Sequence, residues 1–319
     1  MRSVTLLLLL LLPLAAAAQT APQPQDAWSS AKTERVMMRY ADDVRARKAF
    51  DEAHKALHSD AFKAAVRNYE AGKLPELRAT WGEFVTAQGT EYIALQLAPS
   101  VPLKPGAKVV SFGEIVDGNG RAVFDFEEPA DVVESKGDAY IERTLILPAN
   151  NVTGTFGIAV GSEIIGLTRS AMDAEALTKA TAGVSRLIVS NNVYNLTKLQ
   201  SPFDPFAFGG TKVVPKPDRT FRKSDEVWLF TELRNPGVDA QQAPRIMMKV
   251  EIEGSGKRVA MPQQEADASP LKGVRGHYGV GTTVDLSRLK AGDYKVRMTL
   301  NDTIANQTYQ REETIHLLD

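Results

Sequence analysis

The sequence predicts a mainly β protein: two immunoglobulin-like β-sandwich domains preceded by two or three short helices. Three observations lead there. From Glu91 onward, short apolar runs recur at even spacing, separated by Gly, Pro, Asn and Asp. Before Gly72, apolar residues recur at helical spacing instead. Near the C-terminus, a turn carrying Gly292 feeds a strand that begins with Tyr294, the place of a tyrosine corner in such sandwiches.

The chain opens with Met1-Arg2, an unbroken leucine run from Leu6 to Leu12, Pro13, and the small residues Ala15 to Ala18. A charged end, an apolar stretch and small residues, in that order, predict a signal peptide over 1–18 with cleavage after Ala18. The apolar stretch is short of the ~20 residues of a spanning helix, and no later segment reaches that length without charges, so no transmembrane segment is expected after cleavage. Residues 19–25 are polar and proline-rich, a tether.

Residues 26–88 are expected to be helical. Ala46, Phe50, Ala53 and Leu57, then Phe62, Ala65, Val66 and Tyr69, each line one face of a 3.6-residue period. Ser59-Asp60 reads as a turn and cap and Gly72 as a stop, with a third short helix from Pro75 to Val85.

The first sandwich is placed at 89–175. Its expected strands are Tyr92 to Leu97, Val109 to Val116, Arg121 to Glu127, Tyr140 to Leu147 and Thr153 to Val160. Asp117-Gly118-Asn119-Gly120 supplies the turn chemistry that closes a hairpin between the second and third of these. The second, immunoglobulin-like sandwich is placed at 176–319, after a brief helix over Ala171 to Thr181. Strands are expected at Arg186 to Ser190, Lys212 to Pro215, Val227 to Leu233, Arg245 to Ile252, Thr282 to Asp285, Tyr294 to Leu300 and Thr308 to Leu317. Tyr294, Val296, Met298 and Leu300 share one strand face. Trp228, in a strand apolar on both faces, is the expected core tryptophan.

Val227 through Gly237 and Leu286 through Asp302 resemble a β-sandwich found in exported proteins of Acidobacteria and related bacteria, including the tails of GWxTD-domain proteins. The likeness spans roughly the last third of the chain; the Gly-Trp-x-Thr-Asp signature itself is absent, and Trp81-Gly82 has the reverse order. The resemblance implies a location and an architecture and no activity.

Composition narrows the function classes. The 319 residues carry 43% hydrophobic and 24% charged side chains, a globular balance. A formal net charge of −1 provides no field for nucleic acid, so no nucleic-acid partner is expected. The chain has no cysteine, which excludes thiol redox chemistry and thiolate metal sites; for an exported chain this points to a bacterial source and core burial without disulfides. Sequons at Asn151, Asn195, Asn301 and Asn306 are read as chance.

Candidate sites are few. His54 and His58 stand four apart on the expected helix, a spacing that aims both rings at one side for a metal, or simply at solvent. Asp125 and Glu127 head an acidic stretch with Glu128, Asp131, Glu134 and Asp138; hard oxygen ligands suit calcium, and a carboxylate pair suits a glycosidase. The glycine-rich Gly276 to Gly281 leads into a strand rather than a helix, so no phosphate cradle is expected and His277 has no catalytic motif beside it. Phe203, Phe206 and Phe208, among prolines and glycines, form either an exposed binding loop or a segment tucked against a sandwich or between domains.

The expectation is therefore a non-catalytic exported protein, periplasmic or extracellular, that binds or scaffolds another cell-envelope or extracellular protein and takes no cofactor. Two alternatives stand beside it: a carbohydrate- or peptide-binding accessory module with Trp228 and the phenylalanine loop as an aromatic platform, and a hydrolase using carboxylates near Asp125.

Overall fold

The computed structural model describes residues 74–85, 91–104, 107–146, 152–172, 182–196, 204–208, 210–254, 256–271 and 275–319. Within them the chain is mainly β, in several sheets, with no helix. His54, His58, Phe203 and the expected helices before Gly72 lie outside the described residues.

The first unit holds β1 (Leu77–Val85), β2 (Glu91–Pro99), β3 (Val109–Val116), β4 (Ala122–Ala130), β5 (Val133–Ser135), β6 (Asp138–Leu145), β7 (Val152–Val160) and β8 (Glu163–Met172). They form two four-stranded sheets, ordered β1-β2-β6-β5 and β4-β3-β7-β8. Leu77, Trp81, Ile93, Leu95 and Ile141 from one sheet and Ile115, Phe156, Ile158 and Met172 from the other make a single core. Alternate residues of each strand point to it, as the two-residue period requires. The Asp117–Gly120 turn closes the β3–β4 hairpin as expected: Asp117 Oδ1 accepts from the amides of Asn119 and Arg121, both at 2.9 Å, and Gly120 takes φ 77°.

Two expectations are corrected here. Pro75 to Val85 is not a helix: Leu77–Val85 pairs antiparallel with Glu91–Pro99 along its whole length, so the helical segment cannot reach residue 88 and the first β unit begins well before residue 89. Leu77 and Trp81 face the unit's core while Phe84 faces the other way and is equally buried. Burial on both faces erases the alternation by which a strand is recognised. In addition, Ala171 and Met172 end β8 rather than opening a helix.

The second unit holds β9 (Gly183–Val184), β10 (Ile188–Ser190), β11 (Asn192–Asn195), β12 (Ala207–Phe208), β13 (Thr211–Val214), β14 (Thr220–Arg222), β15 (Val227–Arg234), β16 (Ile246–Gly254), β17 (Lys257–Ala260), β18 (Gln264–Glu265), β19 (Ala268–Pro270), β20 (His277–Val284), β21 (Gly292–Asp302) and β22 (Gln307–Leu318). Sheets ordered β10-β15-β20-β19 and β14-β22-β21-β16-β17 enclose the larger core, which includes Leu229, Leu233, Val280, Met248, Val296 and Ile315. Tyr294 is buried at the head of β21 and its hydroxyl donates to the Lys290 carbonyl at 2.8 Å, the bond expected of a tyrosine corner. Trp228 departs from expectation. Val227 and Leu229 take the core positions, and Trp228 stands half-buried on the opposite face of β15.

The third sheet of this unit, β11-β13-β12, is small and does not join the larger core. Its side chains are among those that meet the first unit.

Candidate functional site at the junction of the two units

The inner sheet of the first unit turns its second face to the other unit. Phe84 and Tyr92 from β1 and β2 meet Phe206, Phe208 and Val213 of the small sheet and Ile188 of β10 in one cluster. Phe84 lies edge-on to Phe208 with centroids 4.7 Å apart, and Phe208 lies against Phe230 at 4.1 Å. Phe206 is 0% exposed and Phe208 6%. Of the two forms open to the phenylalanine segment, its described members adopt the tucked one: an exposed loop built on Phe206 and Phe208 does not exist, because their rings gain more by filling the junction than by facing water.

Charges ring this apolar centre. Lys212 Nζ donates to Glu142 Oε2 at 2.7 Å, to Asp204 Oδ1 at 3.0 Å, and to the Pro205 carbonyl. All three ammonium protons are thereby used. Two carboxylates hold Lys212 charged and raise its pKa against the pull of burial. Lys216 pairs with Asp138 at 2.6 Å, and Arg186 stacks over the Trp81 ring at 4.3 Å. Lys136 Nζ donates to the Asn191 carbonyl. The Lys212–Glu142, Lys216–Asp138, Arg186–Trp81 and Lys136–Asn191 contacts each join a residue of the first unit to one of the second.

A further group sits at the end of β15. Glu232, 0% exposed, accepts from Arg234 Nε at 3.1 Å and from His277 Nδ1 at 2.8 Å. Arg234 also donates to the Glu83 carbonyl at 3.1 Å, again across the junction. Glu83 itself is buried, and burial raises its carboxyl above the usual range although Arg234 and Arg311 pull it down.

The junction also collects every buried side-chain polar atom without a hydrogen bond among the described residues: Glu83 Oε2, both amide atoms of Gln96, and Glu142 Oε1. Gln96 and Glu142 stand directly opposite each other on β2 and β6. Such atoms cost about 1–3 kcal/mol each, so this seam trades stability for its polar content.

Beside the seam lies a cleft of about 570 Å³. The first unit supplies Arg78 of β1, the 98–103 segment and the β5–β6 turn; the second supplies Pro217 and Asp218. Lys136 and Gly137 in that turn take φ 48° and 84°, the paired left-handed conformation of a tight hairpin turn. Neither Glu232, Arg234 nor His277 lines the cleft. The Glu232–His277 pair thus has the geometry of a base with its orienting acid, with Glu232 fully buried and His277 partly buried away from the cleft.

The acidic stretch is dispersed. Asp125 is exposed and Glu127 half-buried on β4, whereas Glu128 points to the opposite face, buried, 3.8 Å from Arg143. No three His, Asp or Glu among the described residues converge as a cation site. The residues that do converge, Glu83, Gln96, Glu142, Lys212, Glu232 and Arg234, had one signal in the sequence: each is a polar residue interrupting an apolar strand. Comparison with protein-family models and with curated proteins found no match to this chain.

Proposed function

We propose that the chain is an exported, non-catalytic binding or scaffolding protein of the cell envelope, built of two immunoglobulin-like β-sandwich units. The observation that carries this reading is the junction: its charged groups are paired with one another and shielded, while the open cleft beside it is lined by both units. Ligand sites favour such boundaries between units. The facing sheets and the Tyr294–Lys290 bond support the sandwich assignment, and the Leu6 to Leu12 run followed by Ala15 to Ala18 supports export.

Neither alternative has comparable support. An accessory module needs an exposed aromatic platform, and Phe206 and Phe208 are buried. A carboxylate hydrolase centred on Asp125 needs acids sharing a pocket with it, and Glu128 is turned away from Asp125 and Glu127 toward Arg143. The acids of the stretch that line the cleft are an exposed Glu134 and an Asp138 held by Lys216.

The reading is tested by placing a photo-activated cross-linking residue at Val101, 46% exposed on the cleft rim, and separately at Ile304, 39% exposed in the β21–β22 turn. A partner adduct in envelope-bearing cells from position 101 and not from 304 is expected. Adducts from neither position, or equally from both, contradict the reading.

A further inference from the structure

We propose that the junction cleft binds a peptide through a carboxylate, with the guanidinium of Arg78 as its anchor. The inference rests on the binding-protein reading above and adds the chemistry of the ligand.

Consider the charges that line the cleft. Asp138 and Asp218 are both held by Lys216, at 2.6 and 3.6 Å. Lys136 is engaged with the Asn191 carbonyl. Glu134 is exposed at the rim, where water screens it. Arg78, half-buried on β1, has no ion pair or hydrogen bond from its side chain among the described residues. A guanidinium carries five donors in a planar fork matched to a carboxylate. Partly walled by protein and without an acid partner among the described residues, it is free to receive an external carboxylate.

The remaining lining sets the class of molecule that bears the carboxylate. Among the described residues no aromatic ring lines the cleft, so a sugar finds no face to stack on there. Pro99, Pro102, Val101 and Leu103 form an aliphatic wall, suited to the side chains of an extended peptide. The volume of about 570 Å³ falls inside the ordinary range for small-ligand sites, on the order of 300–1,000 Å³. The tight β5–β6 turn and the Lys216 clamp fix two sides in advance, which lowers the ordering cost of binding.

The carboxylate can come from a Glu or Asp side chain or from a chain terminus. Three fluorescent pentapeptides of Val and Pro around one central residue separate these sources: Glu with an amidated end, Gln with a free end, and Gln with an amidated end. Anisotropy titrations use the mature chain from Gln19. The expected result is binding of the first, the second or both, no binding of the third, and at least a tenfold loss for that anionic peptide in Arg78→Gln. Arg78→Gln is expected to keep the wild-type melting temperature, because the side chain leaves no partner behind. Equal binding of all three peptides, no binding of any up to about 1 mM, or unchanged affinity in Arg78→Gln overturns the proposal. Val101→Trp, which fills the rim, separates the two levels. Binding that survives Arg78→Gln but is lost in Val101→Trp removes the carboxylate anchor and leaves the cleft as a binding site.

Discussion

Lys212 carries more of the junction than any other single side chain. Its side chain is 6% exposed and pairs with both Glu142 and Asp204. Removing it strands two carboxylates in a poorly solvated place, so Lys212→Met is expected to cost about 3–5 kcal/mol in urea unfolding. Adding Glu142→Gln is expected to restore part of that loss, because the stranded charge is the larger share of the cost. Glu83 behaves in the opposite sense. Its folded pKa lies above the ordinary carboxyl value of 4.5, so the native state binds the proton more tightly than the unfolded chain. Its contribution is present in full below that value and is lost as pH rises through the folded pKa. Glu83→Gln is therefore expected to flatten the fall of stability with rising pH above 4.5, with its advantage over wild type vanishing in acid. A smaller effect belongs to Tyr294: Tyr294→Phe removes the 2.8 Å bond to Lys290 and is expected to cost about 1 kcal/mol in the same assay.

At the scale of elements, the strands differ in how plainly the sequence announces them. β21 shows alternating burial, with Tyr294, Val296, Met298 and Leu300 inward, and its pattern and its tyrosine were both legible. So was the β3–β4 hairpin, whose turn residues act through local bonds to their own backbone. β1 was not legible: a strand covered on both faces shows no period, and eleven residues without alternation pass for a helix. The short β11 and β12 fall below the length at which a pattern exists, whereas β13 coincides with the strand expected at Lys212 to Pro215; the phenylalanine segment's place depended on a surface supplied by residues far away. Lys212 and Glu142 are 70 positions apart and Arg234 and Glu83 are 151 apart, so no spacing rule brings the seam together. One element makes a sharp demand on a single residue. Gly254 ends β16 where it passes β21, and a Cβ there would stand 2.2 Å from the Asp293 carbonyl oxygen. That oxygen is backbone and cannot swing aside, so Gly254→Ala is expected to destabilise the second unit by about 1–3 kcal/mol.

For the whole molecule, the two cores are joined by a third cluster that belongs to both units, Phe84, Tyr92, Ile188, Phe206, Phe208 and Val213. Around it run the Lys212–Glu142, Lys216–Asp138 and Arg234–Glu83 contacts, all crossing from one unit to the other. An apolar centre with paired charges at its border couples the units mechanically, and the cleft keeps its shape only while both walls stay in place. Separate unfolding would expose the phenylalanine cluster and strand Lys212 and its carboxylates, which ties the stability of each unit to the other. Scanning calorimetry of residues 19–319 at neutral pH, alone and as Lys212→Met, tests this coupling most directly. The expected result is one transition for the wild type, with calorimetric and van't Hoff enthalpies in agreement, resolving into two in the variant. Two independent transitions in the wild type, or a variant that melts as one unit at an unchanged temperature, would contradict a coupled junction as the frame of the binding cleft.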